Sequence, residues 1–192
     1  MSRLRTFIAV EVEPHIRERL SRLQETLARA APDVKWVDEE NLHVTLVFLG
    51  DVDEREIPAV CRVVQEICAE IEPFLLHVGG VGCFPNPRRP RTIWAGLGEG
   101  AEQLVQLHGR LEAALVELGC YRREERQFTP HITLGRLKGE LRTPEKLPEA
   151  LTKQAAWVGG ECQVEAVLVL SSQLTPQGPI YSTLCTAPLA EP

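Results

Sequence analysis

Apolar positions along the chain switch repeatedly between a spacing of two and a spacing of three to four, so strands and helices alternate. Residues 4–10 predict a first strand. Pro14 suits a first helical turn. After it, Ile16, Leu20, Leu23 and Leu27 recur at helical spacing with Arg17, Arg19, Arg22 and Arg29 mostly on other faces, until Pro32-Asp33 ends the run. A short extended piece at 34–37 carries Trp36, and a strand follows at 42–49, closed by Gly50-Asp51. The stripe Val60, Val63, Val64, Ile67 and Ile71 predicts a helix over about 53–71, stopped by Pro73. Residues 74–78 and 81–84 read as extended, with a bend at Gly79-Gly80 and Gly82. A strand at 92–97 precedes a helix over 101–118, whose end is marked by Gly119. A strand at 131–137, a short helix within 144–155 and a very apolar strand at 163–170, extended to 174, follow. Thr175-Pro176-Gln177-Gly178 fits a turn, and 179–186 returns as the last strand.

This order contains a loose repeat: strand, helix, strand, then helix and strands, twice over. It predicts an α+β fold in which two lobes of antiparallel sheet, related by a pseudo-two-fold axis, carry their helices outside and share a central cleft. Residues 1–192 would form one domain made of these two lobes.

Composition changes this picture little. Apolar residues make up 44% and charged residues 25% of the 192 positions, as in a soluble globular domain. Glu11 and Glu13 interrupt any signal-peptide core, and no apolar run approaches a membrane span, so a cytoplasmic monomer without a membrane partner is expected. Six cysteines lack both Cys-x-x-Cys spacing and a metal-site relation to His, and read as free thiols. The net charge of −6 argues against wrapping a long nucleic acid. Arginines nevertheless cluster at 88, 89 and 91, and at 122, 123 and 126, with Arg136 further on; a small basic cleft suits a short anion or an RNA end.

The candidate chemistry lies in two of the predicted strands. His43-Val44-Thr45-Leu46 and His131-Ile132-Thr133-Leu134 repeat one pattern. Side chains alternate along a strand, so each His shares a face with its Thr while the apolar pair buries the other face. A lone His-x-Thr is more often an ordinary strand segment, but two of them, both followed by Leu, point to a site. Two imidazoles can divide acid and base roles near neutral pH, and Thr hydroxyls can donate to phosphate oxygens. Such a site needs no metal and no cofactor.

With both motifs in hand, the chain resembles the 2H phosphoesterase superfamily and, within it, the RNA 2′,3′-cyclic phosphodiesterases, also called 2′-5′ RNA ligases. Beyond the tetrapeptides, the stretches 5–10, 41–50, 91–94, 128–136 and 172–181 match in kind and order, with Thr129 standing where Arg is also common. The resemblance implies a bilobal fold and a metal-independent opening of RNA 2′,3′-cyclic phosphate ends, or of 2′,3′-cyclic nucleotides, to 2′-phosphomonoesters. It implies His43 as proton donor and His131 as proton acceptor, roles that the equivalent tetrapeptides do not distinguish. It also implies Thr45 and Thr133 as phosphoryl ligands, and ATP-independent 2′-5′ ligation by the reverse route.

Three aromatics are base-stacking candidates. Phe48 is five residues from His43, so strict alternation puts it on the opposite face, in the core; Phe84 and Trp94 are equally suited to packing. Arg136, three after Thr133, is nominally on the far face too, yet is a phosphate candidate; Arg91 and Arg126 are weaker ones. His15, His77 and His108 lack a Thr partner and read as structural. Two competing functions stay open: a non-catalytic RNA-end binding module, and a 2H enzyme for another cyclic nucleotide or an ADP-ribose phosphate.

Overall fold

The structure, a computed structural model, describes residues 2–123, 127–137 and 144–190. In chain order it contains β1 (Arg3–Glu11), α1 (Pro14–Ala28), β2 (Val34–Trp36), β3 (His43–Asp53), α2 (Ile57–Cys68), β4 (Phe74–Phe84), β5 (Thr92–Leu97), α3 (Ala101–Glu117), β6 (Ile132–Leu137), α4 (Leu147–Lys153), β7 (Val158–Val164), β8 (Ala166–Leu174) and β9 (Pro179–Pro188). The strands form one sheet in the order β7-β4-β5-β6-β3-β1-β8-β9, with β2 added beside β6. Every pairing is antiparallel.

The α+β expectation therefore holds, and the two sheet halves meet at the motif strands. β6 and β3 touch through one registered pair, Val44 with Ile132, so the ladder is thinnest where the motifs face each other. The halves are not consecutive stretches of chain. α1, which follows β1 of one half, packs on β6 and β7 of the other, while α2 lies on β8 and β9, and α3 on β3. One residue, Glu165, separates β7 from β8, although these strands belong to opposite halves. So short a link requires the sheet to curl until its ends approach.

One face of the curl carries the helices. Ile16, Leu20, Leu23 and Leu27 of α1, together with Leu104, Leu107, Leu111 and Leu115 of α3, are fully or almost fully buried in the main core against Ile8, Val10, Val44, Ile93 and Ile132. Each such side chain contributes about 1.5–3 kcal/mol through burial. The opposite, concave face holds a small separate cluster of Phe7, Ala9, Leu168 and Leu170, with Tyr181 against it.

Three expected boundaries shift. The second helix begins at Ile57 rather than near 53, because the first His strand continues through Gly50 to Asp53 and Pro58 then sits in the first helical turn. Residues 74–84 are one strand, and the glycine-marked bend is a bulge between Val78 and Val81, with Gly80 at φ 76°. The apolar strand over 163–174 is two strands divided at Glu165. The proline before His131 suits an edge or a first position, and it takes the second: β6 is interior, and Pro130 lies ahead of its first paired residue, where no ladder bond is lost.

Candidate active site

Alternation places His43 and Thr45 of β3 on the concave face, where they line a cleft of about 470 Å³ together with Thr133 and Arg136 of β6. Arg5, Phe7, Asn41, Phe48 and Tyr181 line it as well. His131 immediately precedes β6 and is not itself among the cleft-lining residues. Its positive form would act on His43 through space, and Arg136 acts on both imidazoles.

The two imidazoles are held alike. His43 Nδ1 is 2.7 Å from the Asn41 carbonyl oxygen, and His131 Nδ1 is 2.7 Å from the Thr129 carbonyl oxygen, each two residues back. A carbonyl only accepts, so each Nδ1 carries a proton and each Nε2 is the titrating nitrogen. His43 Nε2 is 2.8 Å from Thr45 Oγ1, and the Thr hydroxyl donates to it when the ring is neutral.

Aromatic walls stand behind both rings. Phe7 and Tyr181 lie 5.2 and 5.6 Å from His43 between ring centroids; Phe84 and Trp94 lie 5.0 and 6.4 Å from His131. Burial is the main influence lowering both imidazole pKa values from 6.5, the Arg136 guanidinium pushes the same way, and the backbone carbonyls oppose it. Burial raises the pKa of the Tyr181 phenol.

Strict alternation fails at two expected positions, for one physical reason. In β3, Thr45 pairs with Ala9 and Val47 with Ile8, so Leu46 is an extra residue, a bulge. Leu46 and Val47 are both buried, the alternation shifts by one, and Phe48 emerges on the His43 face, 39% exposed. Phe48 is thus in the cleft rather than in the core, with the Arg5 guanidinium carbon 4.7 Å above its ring centroid. In β6, Thr133 pairs with Trp94 and Gly135 with Ile93, so Leu134 is the matching bulge. It turns Arg136 into the cleft, where Nη1 donates to Thr92 Oγ1 at 3.2 Å.

Phe84 and Trp94 pack on each other, 5.2 Å between centroids, and on His131. They sit beside the candidate site as a wall and are not among the cleft-lining residues. Arg91 uses its carbonyl to accept from Leu137 N–H, and its side chain is exposed. Arg126 lies outside the described residues. Arg5, Phe7, Asn41 and Tyr181 were not singled out one by one in the sequence, although all four fall within the stretches 5–10, 41–50 and 172–181 that match the family; the cross-strand register brings them together. Among the described residues, no group of three or more His, Cys, Asp or Glu is arranged to hold a metal ion, and no helix is long and apolar enough to cross a membrane.

Comparison with known proteins now defines the class. The family model described as the 2′-5′ RNA ligase superfamily matches residues 12–175. An RNA 2′,3′-cyclic phosphodiesterase of Methanothermobacter thermautotrophicus is 39% identical over 182 residues, covering 95% of this chain and 97% of that protein. One of Thermotoga maritima is 36% identical over 184 residues, covering 94% and 93%. Among solved structures, a Thermus thermophilus protein superposes with a TM-score of 0.81 at 30% identity, covering 98% of this chain and 100% of that one. Escherichia coli LigT, solved with 3′-AMP, shares the fold with a TM-score of 0.78 at 24% identity, covering 99% and 100%. The chain belongs to the 2′-5′ RNA ligase superfamily, the 2H phosphoesterases. Its place there is among the enzymes named RNA 2′,3′-cyclic phosphodiesterase.

Proposed function

We propose that this chain hydrolyses RNA 2′,3′-cyclic phosphate ends to 2′-phosphomonoesters by acid–base catalysis between His43 and His131. The arrangement that supports this reading is the matched pair of imidazoles, each held by Nδ1 to the carbonyl two residues back, one on β3 and one just ahead of β6, the two strands that bring two Thr hydroxyls and a guanidinium to the cleft. His131 Nε2 takes a proton from water as the water oxygen bonds to phosphorus. The bond from phosphorus to the 3′ oxygen breaks, and protonated His43 gives that oxygen a proton. Thr45, Thr133 and Arg136 donate to the phosphoryl oxygens and stabilise the charge that builds there. Phe48 stacks on the terminal base, and Phe84 with Trp94 holds His131 in place.

Run backwards with a 5′-hydroxyl as nucleophile, the same groups join RNA ends through a 2′-5′ bond without ATP. The enzyme acts as a monomer in the cytoplasm, a compartment that suits six free cysteines. The test is to incubate the protein with 2′,3′-cyclic nucleotides and cyclic-ended oligoribonucleotides and to identify the product by phosphorus NMR. A 2′-phosphate produced by the wild type and lost in His43→Ala and His131→Ala is the expected result. Tight binding without turnover would instead make the cleft a binding module, and a 3′-phosphate would reverse which oxygen leaves.

A further inference from the structure

Two polar side chains outside the cleft, Gln24 buried and His108 half-buried, answer to the two bulges. His108 of α3 donates from Nδ1 to the carbonyl of Leu46, the bulge residue of the first motif, at 2.8 Å. Gln24 of α1 donates from Nε2 to the carbonyl of Leu134, the bulge residue of the second motif, at 2.8 Å, and to the Val37 carbonyl at 2.8 Å. A bulge takes a residue out of its ladder, and a buried carbonyl needs a donor. Each helix behind a motif strand supplies such a donor, although Gln and His share no chemistry beyond an N–H; the Leu134 carbonyl also accepts from Val37 N–H at 2.9 Å, so Gln24 ties both Leu134 and Val37 to α1 as a second donor.

Both side chains are themselves constrained. Gln24 is 6% exposed. The His108 ring stacks on Phe128, 4.0 Å between centroids and 12° between planes, and Phe128 directly precedes Thr129, whose carbonyl holds His131. On its far side, His108 Nε2 is 3.9 Å from the carboxylate of buried Glu112, which accepts from Arg123 Nε at 2.9 Å.

We propose that Gln24 and His108 are a matched pair of positioning residues, each locking the bulge that turns the fifth residue after its motif His into the cleft. Gln24 acts on Arg136, and His108 acts on Phe48. Neither touches substrate. The proposal rests on the hydrolytic reading for its kinetics but not for its geometry, and the two are tested separately.

The experiment is a pair of double-mutant cycles, Gln24→Met with Arg136→Ala and His108→Leu with Phe48→Ala, measured on 2′,3′-cyclic AMP. Gln24→Met removes the donor at nearly constant volume and is expected to lower kcat about tenfold to a hundredfold. In the Arg136→Ala background the same change is expected to have little further effect. His108→Leu is expected to raise KM more than it lowers kcat, and His108→Asn, whose amide reaches the Leu46 carbonyl from the same position, to restore it. Independently of turnover, proton NMR titration of His43 and His131 in Gln24→Met is expected to move both pKa values up, since Arg136 no longer faces them. Unchanged imidazole titration in a folded Gln24→Met protein, or equal losses in both backgrounds, would overturn the proposal. Should Gln24→Met not fold, the His108 cycle and its Asn rescue decide alone, with additivity counting against. A wild type that turns nothing over would defeat the hydrolytic reading and leave the titration test intact.

Discussion

Phe48 and Arg136 occupy one position in two unlike sequences: each is fifth after its motif His, and each is turned onto the cleft face by a bulge at the motif Leu. The backbone repeats while the side chains diverge. At this position one half offers a flat aromatic ring with a guanidinium above it, and the other offers a guanidinium alone. A nearly symmetric scaffold thereby becomes a directional cleft, and in the proposed function the aromatic end takes the base and the other the phosphate.

Arg136→Ala should separate charge from fold. The side chain lies on the surface of the cleft, so melting should change little. The loss of a preorganised donor to the phosphoryl oxygens should lower kcat about 10²- to 10³-fold on a cyclic mononucleotide. Arg136→Lys should fall between, because an ammonium keeps the charge but not the two-pronged donor. A steady-state comparison of the three proteins checks this; wild-type turnover in Arg136→Ala would remove Arg136 from the site.

The pH profile follows from the direction of the imidazole shifts. Burial and Arg136 both disfavour the charged rings, so both titrate below 6.5 in the free enzyme. The proposed route requires one neutral and one protonated ring, so kcat/KM should trace a bell whose maximum lies on the acid side of 6.5. Stability should move with pH in the same window. The unfolded chain binds these protons more readily, so stability is full above 6.5 and falls as pH drops through the lowered folded values. Rate profiles and urea titrations across this range check both; a bell centred well above 6.5 would contradict the assigned direction.

Phe48→Ala should act on binding. Stacking on an aromatic ring contributes about 1–3 kcal/mol per base, so KM should rise about fivefold to a hundredfold with kcat nearly unchanged. Phe48→Trp should retain affinity. Equal KM values for wild type and Phe48→Ala would place the base elsewhere.

The helices, the motif strands and the shared face of His43 with Thr45 were legible because each depends on a local period of the chain. The positions of Phe48 and Arg136 were not. A bulge changes the count of residues between partners on two strands, and that count exists only once β1 meets β3 and β5 meets β6. Nothing at Leu46 or Leu134 distinguishes an extra residue from an ordinary apolar one. The division of residues 163–174 at Glu165 was hidden for a similar reason: both pieces are apolar, and only pairing shows that they serve different halves.

Chelation gives a sharp negative expectation. The proposed route moves protons between nitrogen and oxygen and stabilises charge with hydroxyls and a guanidinium, so turnover should be unchanged in excess EDTA. Loss of activity on chelation, restored by a divalent cation, would require a different mechanism.

The wall behind His131 can be tested through a residue that never reaches the cleft. Gly82 pairs with Trp94 across β4 and β5, and a Cβ added there would lie 2.3 Å from the indole Cη2 and Cζ2. Gly82→Ala must therefore displace the indole, whose centroid is 6.4 Å from that of His131 and 5.2 Å from that of Phe84. Overpacking of this kind costs about 1–3 kcal/mol, a fall in melting temperature of about 2–12 °C for a chain of this size. The His131 ring resonances should shift with it, while those of His43, on the other half, should not. Trp94→Leu made in the Gly82→Ala protein should recover part of the melting temperature, because the smaller side chain leaves room for the methyl group. A Gly82→Ala protein that melts like the wild type, with His131 unmoved, would mean that the indole is not what holds that ring.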